Sequence, residues 1–453
     1  MERILITPPQ FPPLAAVRAP GSKSYTNRAL LTAAMATGTS RLTFSSPSSD
    51  SEALVRALRS LGVLITEESA SNDGGTTLHI VGCGGKFTPY HGEIDVGPAG
   101  TTMRFLCALC AAIPGADIVV RGSERMHARP IGDLVLALRQ LGATIDYIGA
   151  DGCPPLRIHS DTQLKGGAVR VNGSISSQFI SALLLTAPLH AEPLTVEIEG
   201  EQISKSYIDM TLQSIADFGV TIENHGYQRY SCRAGPGYGS RLYPIEGDAS
   251  GASYLWAIAA LSGGEITVKN INPESAQGDI KFPDLLARMG CSVSRTERSI
   301  TVKGTHTLRA IDVDMSLMPD TAQTLAVIAA CAEGSTTIKG LSTLRVKETD
   351  RLAALHTELA KLGIDSEAGP DYLVVHGGTP RGAHIATYDD HRMAMAFAVL
   401  GARISGVVIE EPHVVSKSFP DFWEVLKGIL GPESVLAMCC SHMTRSVQPP
   451  TTS

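Results

Sequence analysis

Six segments of this chain are apolar on nearly every side: "NRALLTAAMATG", "TTMRFLCALCAAIPG", "SSQFISALLLTAPLHA", "GASYLWAIAALSGG", "DTAQTLAVIAACAEG" and "HRMAMAFAVLGARISG". They begin at Asn27, Thr101, Ser176, Gly251, Asp320 and His391, a spacing of roughly 70 to 75 residues, longer than the period of common solenoids. A helix without a polar face has to lie inside a domain. Six of them at one spacing predict six copies of a single folding unit built around buried helices.

Amphipathic segments alternate with the apolar ones. Leu54, Leu58 and Leu61 fall on one helical face, as do Leu134, Leu138 and Leu141, and Leu352, Leu355, Leu359 and Leu362 form a similar stripe. Most end in glycine followed by a β-prone run, as in "LRSLGVLI", "LRQLGATI", "IADFGVTI", "LARMGCSV" and "LAKLGIDS". That pattern predicts a helix stopped by a left-handed glycine and then a strand. Each unit is thus an α/β module with two helices and a few strands. Asp133, Asp209, Asp284, Asp350 and Asp421 stand where they would head five of these helices, each a candidate cap. Three or four residues before each stands a cation: Arg129, Lys205, Lys281, Lys347 or Lys417.

At 453 residues the chain exceeds the size at which one core keeps growing, so two domains are expected. With a formal charge of −7 it suits neither nucleic acid nor an anionic membrane surface, and an anion site must be a local concentration of cations. The nine cysteines have no metal-ligand spacing, and several sit in apolar segments, as buried thiols of a reducing cytoplasm would. "MERILITPPQ" has no cationic leader followed by an apolar core, and the uncharged run between Arg104 and Asp117 is too short to span a bilayer. A soluble, cytoplasmic protein is expected.

The stretch "APGSKSYTNRALL" places Lys23 between two serines in a turn that opens the first apolar helix, with Arg28 one turn on. Two cations, hydroxyls and free N–H groups suit an anion, although such a turn alone is most often a solvated loop. It is not a nucleotide P-loop, since Ser22 rather than glycine precedes Lys23. The other apolar helices have similar leaders: Gly100, Thr101 and Arg104; Ser176, Ser177 and Gln178; Asp248 and Ser250; Asp320; His391 and Arg392. If six modules stand in two groups of three with helix N-termini facing, these leaders line one cleft and the helix dipoles add to its positive field.

The segments "PGSKSYTNRAL", "AGTTMRFL", "RPIGDL", "SSQFISALLLTAPL", "EGDASGASY", "MPDTAQTLA", "RVKETDRL", "DDHRMAMAF" and "SKSFPDFW" closely resemble, in order, the signatures of the 5-enolpyruvylshikimate-3-phosphate synthase family. The resemblance runs from about Ile4 to Leu430. It implies an α/β fold of two domains, an inside-out α/β barrel of six βαβαββ units, three per domain. By that resemblance residues 22–241 form one domain and residues 1–21 with 242–430 the other, while 431–453 are expected to be a disordered tail.

The resemblance also implies a reaction: the enolpyruvyl group of phosphoenolpyruvate passes to the 5-hydroxyl of shikimate 3-phosphate, phosphate is released, and neither metal nor cofactor takes part. The two small molecules would be the only partners, and the protein a monomer. Lys23, Ser24, Arg28, Ser176, Ser177, Gln178, Ser204, Asp320 and Lys347 match the phosphosugar ligands, and Thr343 stands at the position of another. Lys23, Gly100, Arg129, Gln178, Arg351, Arg392 and Lys417 match the phosphoenolpyruvate ligands. Asp320 would take the hydroxyl proton and Glu348 would deliver one to the enol carbon, with Lys23 between the substrates. Cations beside Glu348 favour its ionised form, so its acid role needs the bound anions to restore proton affinity. The cations come from both domains, and an empty closed cleft is expected to repel itself.

Pro98 stands where the family commonly has asparagine, Phe105 where it often has proline, and Thr343 where asparagine usually holds the phosphosugar. These departures leave open the shape of the phosphoenolpyruvate loop and the response to glyphosate, a mimic of that substrate. Two rivals remain. One is the related transferase acting on UDP-N-acetylglucosamine, which typically carries a reactive cysteine near the counterpart of residues 115–125, where "GADIVVRGSER" has none. The other is a catalytically silent phosphate-binding protein of the same fold.

Overall fold

The computed structural model describes residues 2–69, 75–233 and 237–438. The six apolar segments form the helices Lys23–Met35, Gly100–Ala111, Ser177–Thr186, Ala249–Ser262, Ala322–Ala329 and His391–Ala398, each buried along nearly its whole length. Four have side-chain caps: Ser22 accepts from the Tyr25 N–H, Ser176 from Gln178, Asp248 from Gly251 and Asp390 from Arg392. A cap that satisfies an orphan N–H lets a helix begin inside the protein.

The amphipathic segments form Ser49–Ser60, Gly132–Gln140, Lys205–Asp217, Phe282–Arg288, Arg351–Lys361 and Phe422–Leu430. Gly62, Gly142, Gly219, Gly290 and Gly363 end five of them with positive φ, as expected. The expected aspartate caps mostly fail. Only Asp350 caps, accepting from the Ala353 N–H at 3.1 Å. Asp209 lies a turn inside its helix and accepts from the Tyr227 hydroxyl at 2.8 Å, Asp284 pairs with Arg295, and neither Asp133 nor Asp421 makes a capping bond.

Among the described residues, six four-stranded sheets repeat one topology. In the second, His91–Asp95 runs parallel to Ala116–Arg121, which pairs antiparallel with Leu156–Ser160, which pairs antiparallel with Thr144–Tyr147. Two sheets borrow their first strand from the far half of the chain. Leu242–Pro244 completes the sheet of Thr37–Ser45, and Leu14–Arg18 completes that of Glu265–Lys269. The sixth sheet is shared between the chain's two ends: His384–Ile385, Val407–Glu410, Arg3–Ile6 and Val435–Met438.

That last strand corrects the expectation of a disordered segment after residue 430. Residues 435–438 pair antiparallel with Arg3–Ile6 and supply the fourth strand that each of the other five sheets has. Val435 is buried and its successors are exposed. The rest of the expected tail, 439–453, lies outside the described residues.

Buried apolar side chains fall into two clusters, one drawn from Tyr25 to Ile245, the other from Ile6 and Ala19 plus Ala249 to Val435. The chain passes between them twice, side by side. The Ser22 N–H donates to the Glu246 carbonyl and the Asp248 N–H to that of Pro20, both at 2.8 Å, and Gly21 bridges Gly247. A Cβ at Gly21 would lie 1.9 Å from the Phe44 carbonyl oxygen and one at Gly247 2.4 Å from that of Asn270, so no side chain fits at this crossing.

Candidate active site

Helix starts from both clusters converge on one cavity. Lys23, Ser24, Arg28, Gly100, Arg129, Ser176, Ser177, Gln178 and Ser204 line it from one side, and Asp320, Thr343, Lys347, Glu348, Arg351 and Arg392 from the other. Lys417 sits just behind this lining, its Nζ 3.4 Å from the Glu348 carboxylate. The structure thus gathers every expected site residue. Lys205 and Lys281, which share the spacing of Lys347 and Lys417, do not line the cavity; Lys205 instead lies over the Tyr227 ring.

Arg28 is fixed by the protein's own groups. Its guanidinium donates to the Thr211 hydroxyl at 2.8 Å and to the carbonyls of Ser24 and Tyr207 at 2.9 and 3.0 Å. The fully buried Phe105 ring lies 5.7 Å from that guanidinium, which gives this departure a supporting role. Gly100 makes room for Arg129: a Cβ there would come within 2.5 Å of the guanidinium. The Arg129 Nε and the Thr343 hydroxyl are buried without a protein partner, polar groups left for a ligand. Gln178 is steadied by donating to Thr101 at 3.2 Å.

Carboxylates interleave with the cations and offset much of the repulsion expected among them. Lys23 pairs with Asp50 at 3.1 Å, and Lys417 reaches Asp50 at 3.8 Å as well as Glu348. Arg351, wholly buried, joins Asp390 at 2.7 Å, Glu348 at 2.9 Å and Asp320 at 3.2 Å. Asp320 also faces Arg392 at 2.9 Å and Lys347 at 3.7 Å, and accepts from the Tyr207 hydroxyl of the opposite wall at 2.8 Å. It makes no helix cap.

These contacts set the protonation states. Burial would raise the Asp320 carboxyl, yet Arg392, Lys347 and Arg351 override it and hold it well below the ordinary range. Glu348 behaves alike: burial pushes up, and Arg351, Lys417 and Arg129 push further down. Both are carboxylates while the cations have no other anion to face. His391 is buried among Lys23 and Arg392 and is kept neutral, with both ring nitrogens unpartnered.

Sequence reading missed Asp50, Tyr207, Asp279 and Asp390. Asp50 lies in the first turn of its helix, where an acid reads as ordinary dipole compensation, and Asp390 reads as a cap, which it also is.

The whole-chain pattern of this site has known counterparts. A family model described as EPSP synthase (3-phosphoshikimate 1-carboxyvinyltransferase) matches residues 13–426. The chain belongs to the EPSP synthase family. A 3-phosphoshikimate 1-carboxyvinyltransferase of Shewanella amazonensis is 45% identical over 420 residues, covering 92% of this chain and 96% of the relative. One of Methanoculleus marisnigri is 42% identical over 416 residues, 91% and 96% of the two chains. A solved EPSP synthase structure from Acinetobacter baumannii superposes with a TM-score of 0.80 at 27% identity, covering 97% of this chain and all of that one. The two-domain enolpyruvyl transferase fold expected from the sequence is therefore the fold of this EPSP synthase family member.

Proposed function

We propose that the cleft transfers the enolpyruvyl group of phosphoenolpyruvate to the 5-hydroxyl of shikimate 3-phosphate, giving 5-enolpyruvylshikimate 3-phosphate and phosphate. One observation carries the assignment of roles: two carboxylates, Asp320 and Glu348, share the buried Arg351 guanidinium in the wall of a cavity ringed by cations from both halves. The hydroxyl oxygen attacks the enol carbon that bears phosphate while the methylene carbon gains a proton. Loss of phosphate, with return of a methyl proton to Glu348, then restores the double bond.

Asp320 is the base for the hydroxyl and Glu348 the acid for the methylene. With only the protein's own cations facing them, both are too weakly basic for the task, since a good acid or base titrates near the working pH. Bound anions supply the correction. A phosphosugar phosphate on Lys347, Ser176 and Ser177, and a phosphoenolpyruvate on Arg129, Arg392 and Lys417, would draw off the positive field and raise both carboxyls. The interleaved ion pairs are then exchanged for substrate contacts, so that binding prepares the chemistry.

The two clusters support a division into a first domain of residues 22–241 and a second of 1–21 with 242–430, extended through 438. Tyr243 and Ile245 pack with the first cluster, which moves the crossing a few residues later. All seven cysteines among the described residues are free, in keeping with a cytoplasmic enzyme, and no helix among them is long and apolar enough to cross a membrane. It acts as a monomer, on small molecules rather than nucleic acid, and glyphosate competes for the phosphoenolpyruvate half of the cleft.

The test is phosphate release by the purified protein. It requires both shikimate 3-phosphate and phosphoenolpyruvate, and no release occurs with UDP-N-acetylglucosamine in place of the phosphosugar. Asp320→Asn is expected to lose at least a thousandfold in kcat, about 4 kcal/mol, while retaining phosphosugar affinity within a few fold. A variant as active as the parent removes Asp320 from the mechanism.

A further inference from the structure

One arginine outside the cavity joins the two halves through the backbone of the residues that face the substrates. Arg125 precedes the short turn Met126–Ala128, four positions before Arg129. Its Nε donates to the Glu348 carbonyl at 2.9 Å and one terminal nitrogen to the Lys347 carbonyl at 3.0 Å. These are consecutive carbonyls of the opposite half, in the extended link between the turn Ser342–Val346 and the helix Arg351–Lys361.

The base of this arginine is firmly held. Met126 is buried, its sulfur 3.1 Å from the Arg104 guanidinium, which also donates to the Pro130 carbonyl at 2.6 Å. Gly122 leaves no room for a side chain, since a Cβ would lie 2.5 Å from the Gly97 carbonyl oxygen. The loop therefore presents one arginine to the cavity and another, anchored alike, to the link carrying Lys347 and Glu348. A planar guanidinium donating from two nitrogens fixes orientation as well as distance.

We propose that Arg125 is a positioning residue for enolpyruvyl transfer: by gripping the carbonyls of Lys347 and Glu348 across the cleft, it sets the phosphosugar-binding lysine and the proton-donating glutamate in register with the opposite wall. The proposal rests on the roles given above to those two residues. Arg125 touches no reacting atom and acts only through them. Losing the grip lets the 347–350 link drift with the second half, so the phosphosugar KM and kcat should suffer together. The phosphoenolpyruvate KM should change less, because Arg129 stays anchored by its own loop, Arg351 is held from behind by Asp390, and Arg392 and Lys417 stand on other segments.

The experiment compares steady-state kinetics of the full-length parent, Arg125→Ala and Arg125→Lys, with melting temperatures. The expected result for Arg125→Ala is about a tenfold fall in kcat and a several-fold rise in phosphosugar KM. The phosphoenolpyruvate KM should stay within twofold and the melting temperature should be unchanged. Arg125→Lys, able to reach one carbonyl, should recover part of the loss. Three results overturn the proposal: parental kinetics in Arg125→Ala, a change confined to the phosphoenolpyruvate KM, or equal losses in both variants with a lowered melting temperature. A parent enzyme inactive on these substrates would instead refute the functional reading itself.

Discussion

Replacing Asp279 with asparagine would measure the electrostatics of the cleft through stability alone. This carboxyl lines the cavity at 5% exposure, accepts from the Ser250 hydroxyl at 2.6 Å and leaves its other oxygen without a protein partner. Burial, reinforced by the charge of Asp320, pushes it up from 3.8 to about 7, although Ser250 and Arg392 pull the other way. In the unfolded chain it titrates near the ordinary value, so the folded state holds the proton more tightly. The resulting stabilisation is fully present below about pH 4 and is lost as pH rises through about 7. Three units amount to about 4 kcal/mol, and roughly two of them, about 3 kcal/mol, disappear between pH 5 and pH 8. Asparagine never ionises and its carbonyl can keep the Ser250 bond. Urea unfolding should therefore show the gap between Asp279→Asn and the parent widening by about 3 kcal/mol in the variant's favour from pH 5 to pH 8. A gap that stays constant or narrows over that range refutes the reasoning.

Gly100→Ala puts a methyl group where the Arg129 guanidinium lies, at 2.5 Å. The arginine must swing aside, and steady-state kinetics should show the phosphoenolpyruvate KM rising about tenfold while the phosphosugar KM moves little, since one charge-assisted contact is worth about that factor. Val435→Asp places a charge in the second core, whereas Leu436→Asp places it on the exposed face of the same strand. Thermal unfolding should register a loss of about 2–4 kcal/mol for the first and within about 0.5 kcal/mol for the second. Equal effects would mean the strand is not seated as described.

The repeat was readable because a helix buried on all sides has no polar stripe, and because a glycine after an amphipathic run has one common conformational use. Lys23, Arg28, Arg129, Lys347 and Arg392 were found through motifs that bind them to helix starts. Spacing alone does not mark a site residue: Lys205 and Lys281 share the spacing of Lys347 but do not line the cavity. Asp50 was hidden because its partners Lys23 and Lys417 come from distant segments, so nothing local marks it. Val435–Met438 was hidden for the same reason, being four residues whose only claim to be a strand is the Arg3–Ile6 edge they complete. The aspartate caps failed because helix starts shift by a few residues between units, and a carboxylate one turn inside a helix finds other donors.

The paired crossing at Gly21 and Gly247 has a consequence for the order of assembly on the ribosome. The first half is an insert within the second, so it can collapse once its borrowed strand Leu242–Pro244 has emerged. The strands Arg3–Ile6 and Leu14–Arg18, though synthesised first, must wait. One lacks its neighbour until Glu265–Lys269 is made, and the other lacks both neighbours until Val407–Glu410 and Val435–Met438 appear. During that interval two unpaired β edges trail from a finished half, the species in which a nascent chain of this architecture is most open to aggregation and most in need of a chaperone.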